Sequence, residues 1–227
     1  MSFYVLDNPK TQKQEEHGLA ITDFISVDPV NTGSAPLCPM CHQPIGMLPW
    51  LPPYRAELEF WGSEAGDIAF GSGNELVVSE RFRQLYLNAG LVGLSGFDRV
   101  EVVRTRSYGR KKRIKPAGDY YVVRIARGRG AIDQRASELV REGGPICEEC
   151  REGGIGGIVK RVKRIVLEEN TWSGEDIFYP RGLSIIMTSE RYRDFHMQNK
   201  INNGLLVEAP QFSFDYYPWE TAKRKNQ

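Results

Sequence analysis

Glu75-Leu76-Val77-Val78-Ser79-Glu80-Arg81-Phe82-Arg83-Gln84-Leu85-Tyr86-Leu87-Asn88-Ala89-Gly90 spells out a strand and a helix in one short stretch. Leu76, Val77 and Val78 make a short apolar strand. Ser79 stands where a hydroxyl caps the first free N–H groups of a helix. Phe82, Leu85 and Tyr86 follow at the i, i+3, i+4 spacing of one buried helical face, and Gly90 suits the left-handed turn that ends it. The layout recurs: Leu183 to Met187 as strand, Ser189 as cap, Tyr192, Phe195 and His196 on the face, and Asn202-Asn203-Gly204 as the stop. Ser79-Glu80-Arg81-Phe82-Arg83 and Ser189-Glu190-Arg191-Tyr192-Arg193 are 110 residues apart.

Working outward, Asp67-Ile68 returns as Asp176-Ile177 at an offset of 109, each after a tryptophan, Trp61 or Trp172. Cys38-Pro39-Met40-Cys41 and Cys147-Glu148-Glu149-Cys150 stand at the same offset and contain all four cysteines. The chain therefore reads as one unit written twice. Residues 1–130 would hold the first copy with its CxxC pair and a basic hairpin, and residues 131–227 the second.

Two thiolates separated by two residues fill two corners of a tetrahedron, and a second such pair closes the site around zinc. Prolines and glycines around both pairs suit tight knuckles, including Pro36, Pro39 and Gly46, then Gly143, Gly144, Pro145, Gly153 and Gly154. Cys38, Cys41, Cys147 and Cys150 are thus expected to bind one structural Zn²⁺ as a staple between the halves. Competing readings are a CxxCH haem attachment at Cys38 to His42, a thioredoxin-like redox pair, two disulfides, and four buried free thiols. Pro44 and Pro49 oppose the helix a redox pair wants. Met1 to Glu16 lacks the basic-then-apolar pattern of an export signal, which opposes haem attachment and disulfides.

The composition is 41% hydrophobic and 11% aromatic, enough for a packed core. Thirty Lys and Arg against 29 Asp and Glu give a formal charge of +1, which recommends neither nucleic acid nor an acidic membrane. No apolar run approaches a bilayer's thickness, so no membrane partner is expected. Paired thiols point to a reducing, cytoplasmic setting.

Phe3 to Leu6, Leu19 to Val27, Phe97 to Val103, Tyr120 to Ala126, Ile158 to Leu167, Leu205 to Val207 and Phe212 to Phe214 read as extended segments. Arg104 to Gly118 reads as a long hairpin loop, and Ala222 to Gln227 as a basic tail. Few helices and no alternating βαβ pattern predict an α+β fold with antiparallel sheet.

No nucleophile elbow, P-loop, HExxH or dinucleotide fingerprint is present, which points to a binding protein and away from an enzyme. His17, His42 and His196 do not pair into a catalytic pattern. The glycines of Gly128-Arg129-Gly130 and Gly153 to Gly157 lack the strand-to-helix setting of a phosphate cradle. One feature favours a nucleic-acid face. Arg104, Arg106, Arg110, Lys111, Lys112, Arg113 and Lys115 surround Tyr108, with Lys160, Arg161, Lys163 and Arg164 as further cations.

The paired CxxC motifs, the apolar start Phe3-Tyr4-Val5-Leu6 and the strand running into Ser-Glu-Arg resemble the myxobacterial double-CxxCG immunity proteins. After the second cysteine, where that family has Gly, this chain has His42 and Arg151. The resemblance implies a protein that binds and neutralises a cognate toxin delivered between neighbouring bacteria. An inhibitor of a nuclease toxin would present carboxylates that imitate phosphates. Glu57, Glu59, Glu64 and Asp67, or Glu168, Glu169, Glu175 and Asp176, are candidates.

Overall fold

The computed structural model describes residues 1–8, 19–25, 30–61, 64–71, 73, 75–108, 118–143, 146–152 and 158–216. His17, the basic residues from Arg110 to Lys115, Gly153 to Gly157 and the tail from Ala222 lie outside the described residues.

The strands are β1 (Phe3–Asp7), β2 (Leu19–Phe24), β3 (Arg55–Trp61), β4 (Ile68–Gly71), β5 (Glu75–Ser79), β6 (Leu94–Tyr108), β7 (Tyr120–Ala131), β8 (Val140–Arg141), β9 (Val159–Val162), β10 (Ile177–Arg181), β11 (Met187–Ser189), β12 (Leu205–Glu208) and β13 (Phe214–Asp215). The helices are α1 (Glu80–Asn88) and α2 (Glu190–Gln198). Ten strands form one sheet in the order β12-β1-β11-β10-β7-β5-β4-β2-β3-β6, and β8, β9 and β13 form a small second sheet.

The fold is α+β, but the large sheet is mixed where an antiparallel one was expected. β2 runs parallel to β4, β3 to β6, and β7 to β10. The cause lies in the connections. After β2 the chain makes an excursion and returns along β3, so β4 re-enters in the direction of β2.

A further pairing of β6 with β7 closes β7, β5, β4, β2, β3 and β6 into a ring. β6 spans both neighbours because Leu94 to Val100 pair with β7 and Glu101 to Tyr108 with β3, and a bulge at Gly96 (φ +95°) and Phe97 (φ +55°) bends the first part. One side chain in two along β3 points inward. Ala56, Leu58 and Phe60 meet Ala20, Phe24, Ala69, Val77, Val100, Tyr120 and Val122 in one core drawn from all six strands.

The expected loop from Arg104 starts too early, because β6 continues to Tyr108. Alternating outward residues of this edge pair across strands, with Arg106 Nη2 2.9 Å from Glu57 and Nη1 3.2 Å from Glu59. Facing side chains on neighbouring strands make such a charge ladder, a pattern that no local count of basic residues reveals.

The order of pairings occurs twice. β2 is parallel to β4, β4 antiparallel to β5, β5 to β7, and β7 to β6. Then β7 is parallel to β10, β10 antiparallel to β11, β11 to β1, and β1 to β12. β7 takes part in both series, so the 130/131 boundary falls at the end of a shared strand. The helices pack together over the sheet, with the Phe195 ring edge-on to Phe82 at 5.9 Å and to Tyr86 at 6.2 Å. A third core gathers Val5, Ile132, Val162, Ile165, Phe178, Leu183 and Met187.

The two Ser-Glu-Arg segments carry matching networks. Ser79 Oγ donates to Asp67 Oδ1 (2.7 Å) and accepts from Phe82 N–H (3.1 Å). Ser189 Oγ donates to Asp176 Oδ1 (2.7 Å) and accepts from Tyr192 N–H (3.2 Å). Arg81 bonds Asp67 and crosses to the carbonyl of Asn199 after α2. Arg191 bonds Asp176 (3.0 Å) and crosses to the carbonyl of Ala89 after α1 (2.7 Å). Each carboxylate also accepts a main-chain N–H from the other segment, Asp67 from Asn202 and Asp176 from Val92.

Removing either carboxylate leaves a cap hydroxyl and a main-chain donor unmatched. Asp67→Ala and Asp176→Ala are each expected to cost about 2–3 kcal/mol, since the arginines are half exposed and most of the loss is in hydrogen bonds to a buried ion. Urea unfolding of both variants checks this. Burial also holds the His196 imidazole down at about 4. The unfolded chain takes up that proton first, so stability should decline as pH falls from about 6.5 through 4, by about 3 kcal/mol. His196→Leu should flatten that part of the pH profile of the unfolding free energy.

Candidate metal centre

The excursion between β2 and β3 is a ribbon. Leu51 N–H donates to Asn31 O, Gly33 N–H to Pro49 O and Ile45 N–H to Pro36 O, so 31–37 runs antiparallel to 44–51 with the cysteine knuckle at its tip. Trp50 anchors its base, packing on Phe24 at 5.2 Å while its main-chain N–H donates to Glu75 Oε1 (3.2 Å). Burial pushes the Glu75 carboxyl up. The second knuckle follows β8, which pairs with β9.

The knuckles share one turn. Cys38 N–H donates to Gln43 O (2.9 Å) and His42 N–H to Cys38 O (2.9 Å); Cys147 N–H donates to Glu152 O (3.2 Å) and Arg151 N–H to Cys147 O (2.8 Å). Both turns need a left-handed residue after the second cysteine, and His42 (φ +56°) and Arg151 (φ +60°) supply it. Glycine adopts that conformation without strain.

Superposed in space, the turns bring all four sulfurs within 4.8 Å of one another. Cys38 Sγ lies 3.8 Å from Cys147 Sγ, and Cys41 Sγ 3.8 Å from Cys150 Sγ. Four bonds of about 2.3 Å in a tetrahedron separate sulfurs by about 3.8 Å, so the donor set fits one zinc-sized ion. Cys38 and Cys150 are buried. Main-chain N–H hydrogen bonding, chiefly from Cys41, draws the Cys38 thiol down to about 7, whereas burial pushes Cys150 up to about 12.

Charged side chains wedge the second knuckle against the sheet. Arg151 pairs with Glu168 (3.0 Å), and Arg181 donates to Glu149 O (3.1 Å). The Arg127 guanidinium lies over the Tyr179 ring at 5.6 Å. A small cavity of about 150 Å³ separates Cys38, Pro39 and Ile45 from Arg127, Arg129 and Glu152. Burial raises the Glu152 carboxyl and lowers Arg127. Arg127 and Arg129 come from β7 and Tyr179 and Arg181 from β10, and the sequence carries no local signal for them.

Other expected site residues disperse. The His42 side chain is exposed, and His196 is buried among the helix-face residues. Glu57 and Glu59 are paired with arginines, Asp67 and Asp176 cap the serine networks, and Glu168 holds Arg151. Tyr108 stacks on Trp61 at 4.7 Å on the outer edge of β3 and β6. No helix among the described residues is long and apolar enough to cross a membrane. The chain matches no protein-family model and no curated protein.

The donor set predicts binding of one divalent ion per chain. Titration of reduced protein with Co²⁺ should saturate at about one equivalent with a tetrahedral thiolate spectrum, and Zn²⁺ should displace it. Cys147→Ser should lose that spectrum and its chelator-sensitive share of thermal stability.

Proposed function

We propose that the protein is a non-enzymatic, cytoplasmic immunity protein, stapled by one structural zinc, that neutralises a toxin domain by binding it. The observation that carries the reading is the pair of knuckles. All four corners of the tetrahedron are protein thiolates, which leaves no position for substrate and makes metal binding a folding device. The residues after each CxxC adopt the backbone conformation that glycine favours, so the departure from CxxCG at His42 and Arg151 keeps the turn. This supports the resemblance to the double-CxxCG immunity proteins.

The repeated pairing order, the matched serine networks and the paired knuckles support a duplication. In that reading β7 ends the first unit and starts the second, and β1 closes the second as β7 closes the first. The zinc then joins equivalent points of the two units.

A zinc-containing nucleic-acid-binding protein is the alternative. The stack of exposed Tyr108 on half-buried Trp61 favours it, since aromatic faces hold bases. Against it, Arg104 and Arg106 are occupied by Glu57 and Glu59.

The test uses the C-terminal domain of the protein encoded immediately upstream. Cells expressing that domain should survive with the wild-type chain. Replacing Arg110, Lys111, Lys112 and Arg113 by Ala should leave protection intact, and Cys147→Ser should weaken it together with the melting temperature. Loss of protection by the basic-segment variant at unchanged melting temperature would make that segment a contact surface. Absence of protection, with salt-sensitive nucleic-acid binding by the wild type, would overturn the immunity reading.

A further inference from the structure

From residue 29 to residue 54 the chain contains no Asp, Glu, Lys or Arg, although such residues make up 26% of the whole. The average would place about seven there. The segment includes the cysteine ribbon, and its apolar side chains are turned outward: Met40 is 60% exposed, Met47 62% and Leu48 53%, with Leu37 and Leu51 also exposed. Leu87 and Met197, also exposed, stand on separate helices, and exposed Ile158 and Tyr216 line a cavity that charged Asp7, Arg141, Glu152 and Asp215 share. A concentration of this kind on a soluble surface marks an interaction site.

The knuckle itself does not require this composition. The second knuckle makes the same turn with Glu148, Glu149, Arg151 and Glu152 in the places of Pro39, Met40, His42 and Gln43. Two structurally matching tips therefore differ in chemistry, one charged and one uncharged.

The uncharged ribbon is also held stiff. Its strands are cross-bonded from Asn31–Leu51 to Cys38–Gln43, Trp50 pins the base, and the cysteine cluster holds the tip. Proline recurs at 36, 39, 44, 49, 52 and 53, fixing φ along the backbone. A preset apolar surface loses little entropy on docking. Methionine is enriched, and charge depleted, at the centres of protein interfaces.

The edge of this face supplies a polarity. Arg129 is exposed on β7, lines the same small cavity as Cys38, Pro39 and Ile45, and has no ion-pair partner among the described residues. An incoming charge set against the uncharged centre would be buried without a partner, whereas a carboxylate at the rim would meet Arg129.

We propose that the ribbon 30–51 is the surface that docks the toxin domain, through an uncharged apolar patch on that domain bordered by a carboxylate opposite Arg129. The proposal rests on the immunity reading and makes the ribbon, not the acidic residues, the point of capture.

Calorimetric titration with the upstream-encoded C-terminal domain tests it. The double variant Met40→Asp/Leu48→Asp should weaken binding at least about a hundredfold and Arg129→Glu about tenfold, while Met197→Lys on α2 stays within about threefold of wild type. Metal content and melting temperature accompany each variant. Should the double variant lose its metal, hydrogen exchange on wild-type protein decides instead: amides of 30–51 should slow in the complex. Undiminished binding by the double variant, an equal loss in Met197→Lys, or unchanged exchange across the ribbon overturns the assignment and leaves the immunity reading standing. Failure of wild type to bind the domain overturns both.

Discussion

Asp67 and Asp176, 4% and 3% exposed, are ions taken out of water. A buried carboxylate is tolerated only where hydrogen-bond donors replace its hydration. Here those donors are a cap hydroxyl, an arginine and a main-chain N–H from the other segment. Meeting that demand starts both helices, sets the strand ahead of each, and ties the end of each helix to the other. The close approach of Phe82 and Tyr86 to Phe195 follows from this mutual hold.

The cysteine cluster imposes a second constraint of opposite character. Burial opposes charge on Cys150, while main-chain hydrogen bonds favour it on Cys38. Four sulfurs this close repel as thiolates and pack indifferently as thiols. A divalent ion would resolve the conflict, because its charge would stabilise the deprotonated ligands together. The knuckles also bring the ribbon after β2 to the segment after β8, two regions with no strand pairing between them among the described residues. The cysteine cluster and the carboxylate networks thus bring distant parts of the chain together at separate places.

Local chemistry was legible in the sequence wherever it was complete within a few residues. The serine caps, the apolar helix faces and the CxxC turns each carry their own signal, and the common offset joined them. Non-local geometry was not legible. Nothing in Leu94 to Tyr108 says that one strand will pair with β7 as far as Val100 and continue beside β3 from Glu101. The alternation of Arg104 and Arg106 with smaller residues looked like a basic loop because their partners, Glu57 and Glu59, sit on a strand some fifty residues earlier. The parallel pairings were hidden for a related reason: direction depends on how many times the chain turns back between strands. Glu75 and Trp50 show the same limit, since a buried acid is intelligible only once the ribbon lies over it.

β1 has a consequence for how the chain is made. It pairs with β11 and β12, and Tyr4 lies opposite both Thr188 and Glu208. Tyr4, Val5 and Leu6 are buried in that arrangement. During synthesis this apolar strand leaves the ribosome well before either neighbour exists, and it must wait while nearly two hundred residues are added. Closing so long a loop is slow, and an unpaired strand edge is sticky meanwhile. The six-stranded ring, whose strands all lie between Leu19 and Ala131, has its full set of partners far sooner. Its early completion would give the waiting strand a folded body beside which to stay until α2 and β12 arrive.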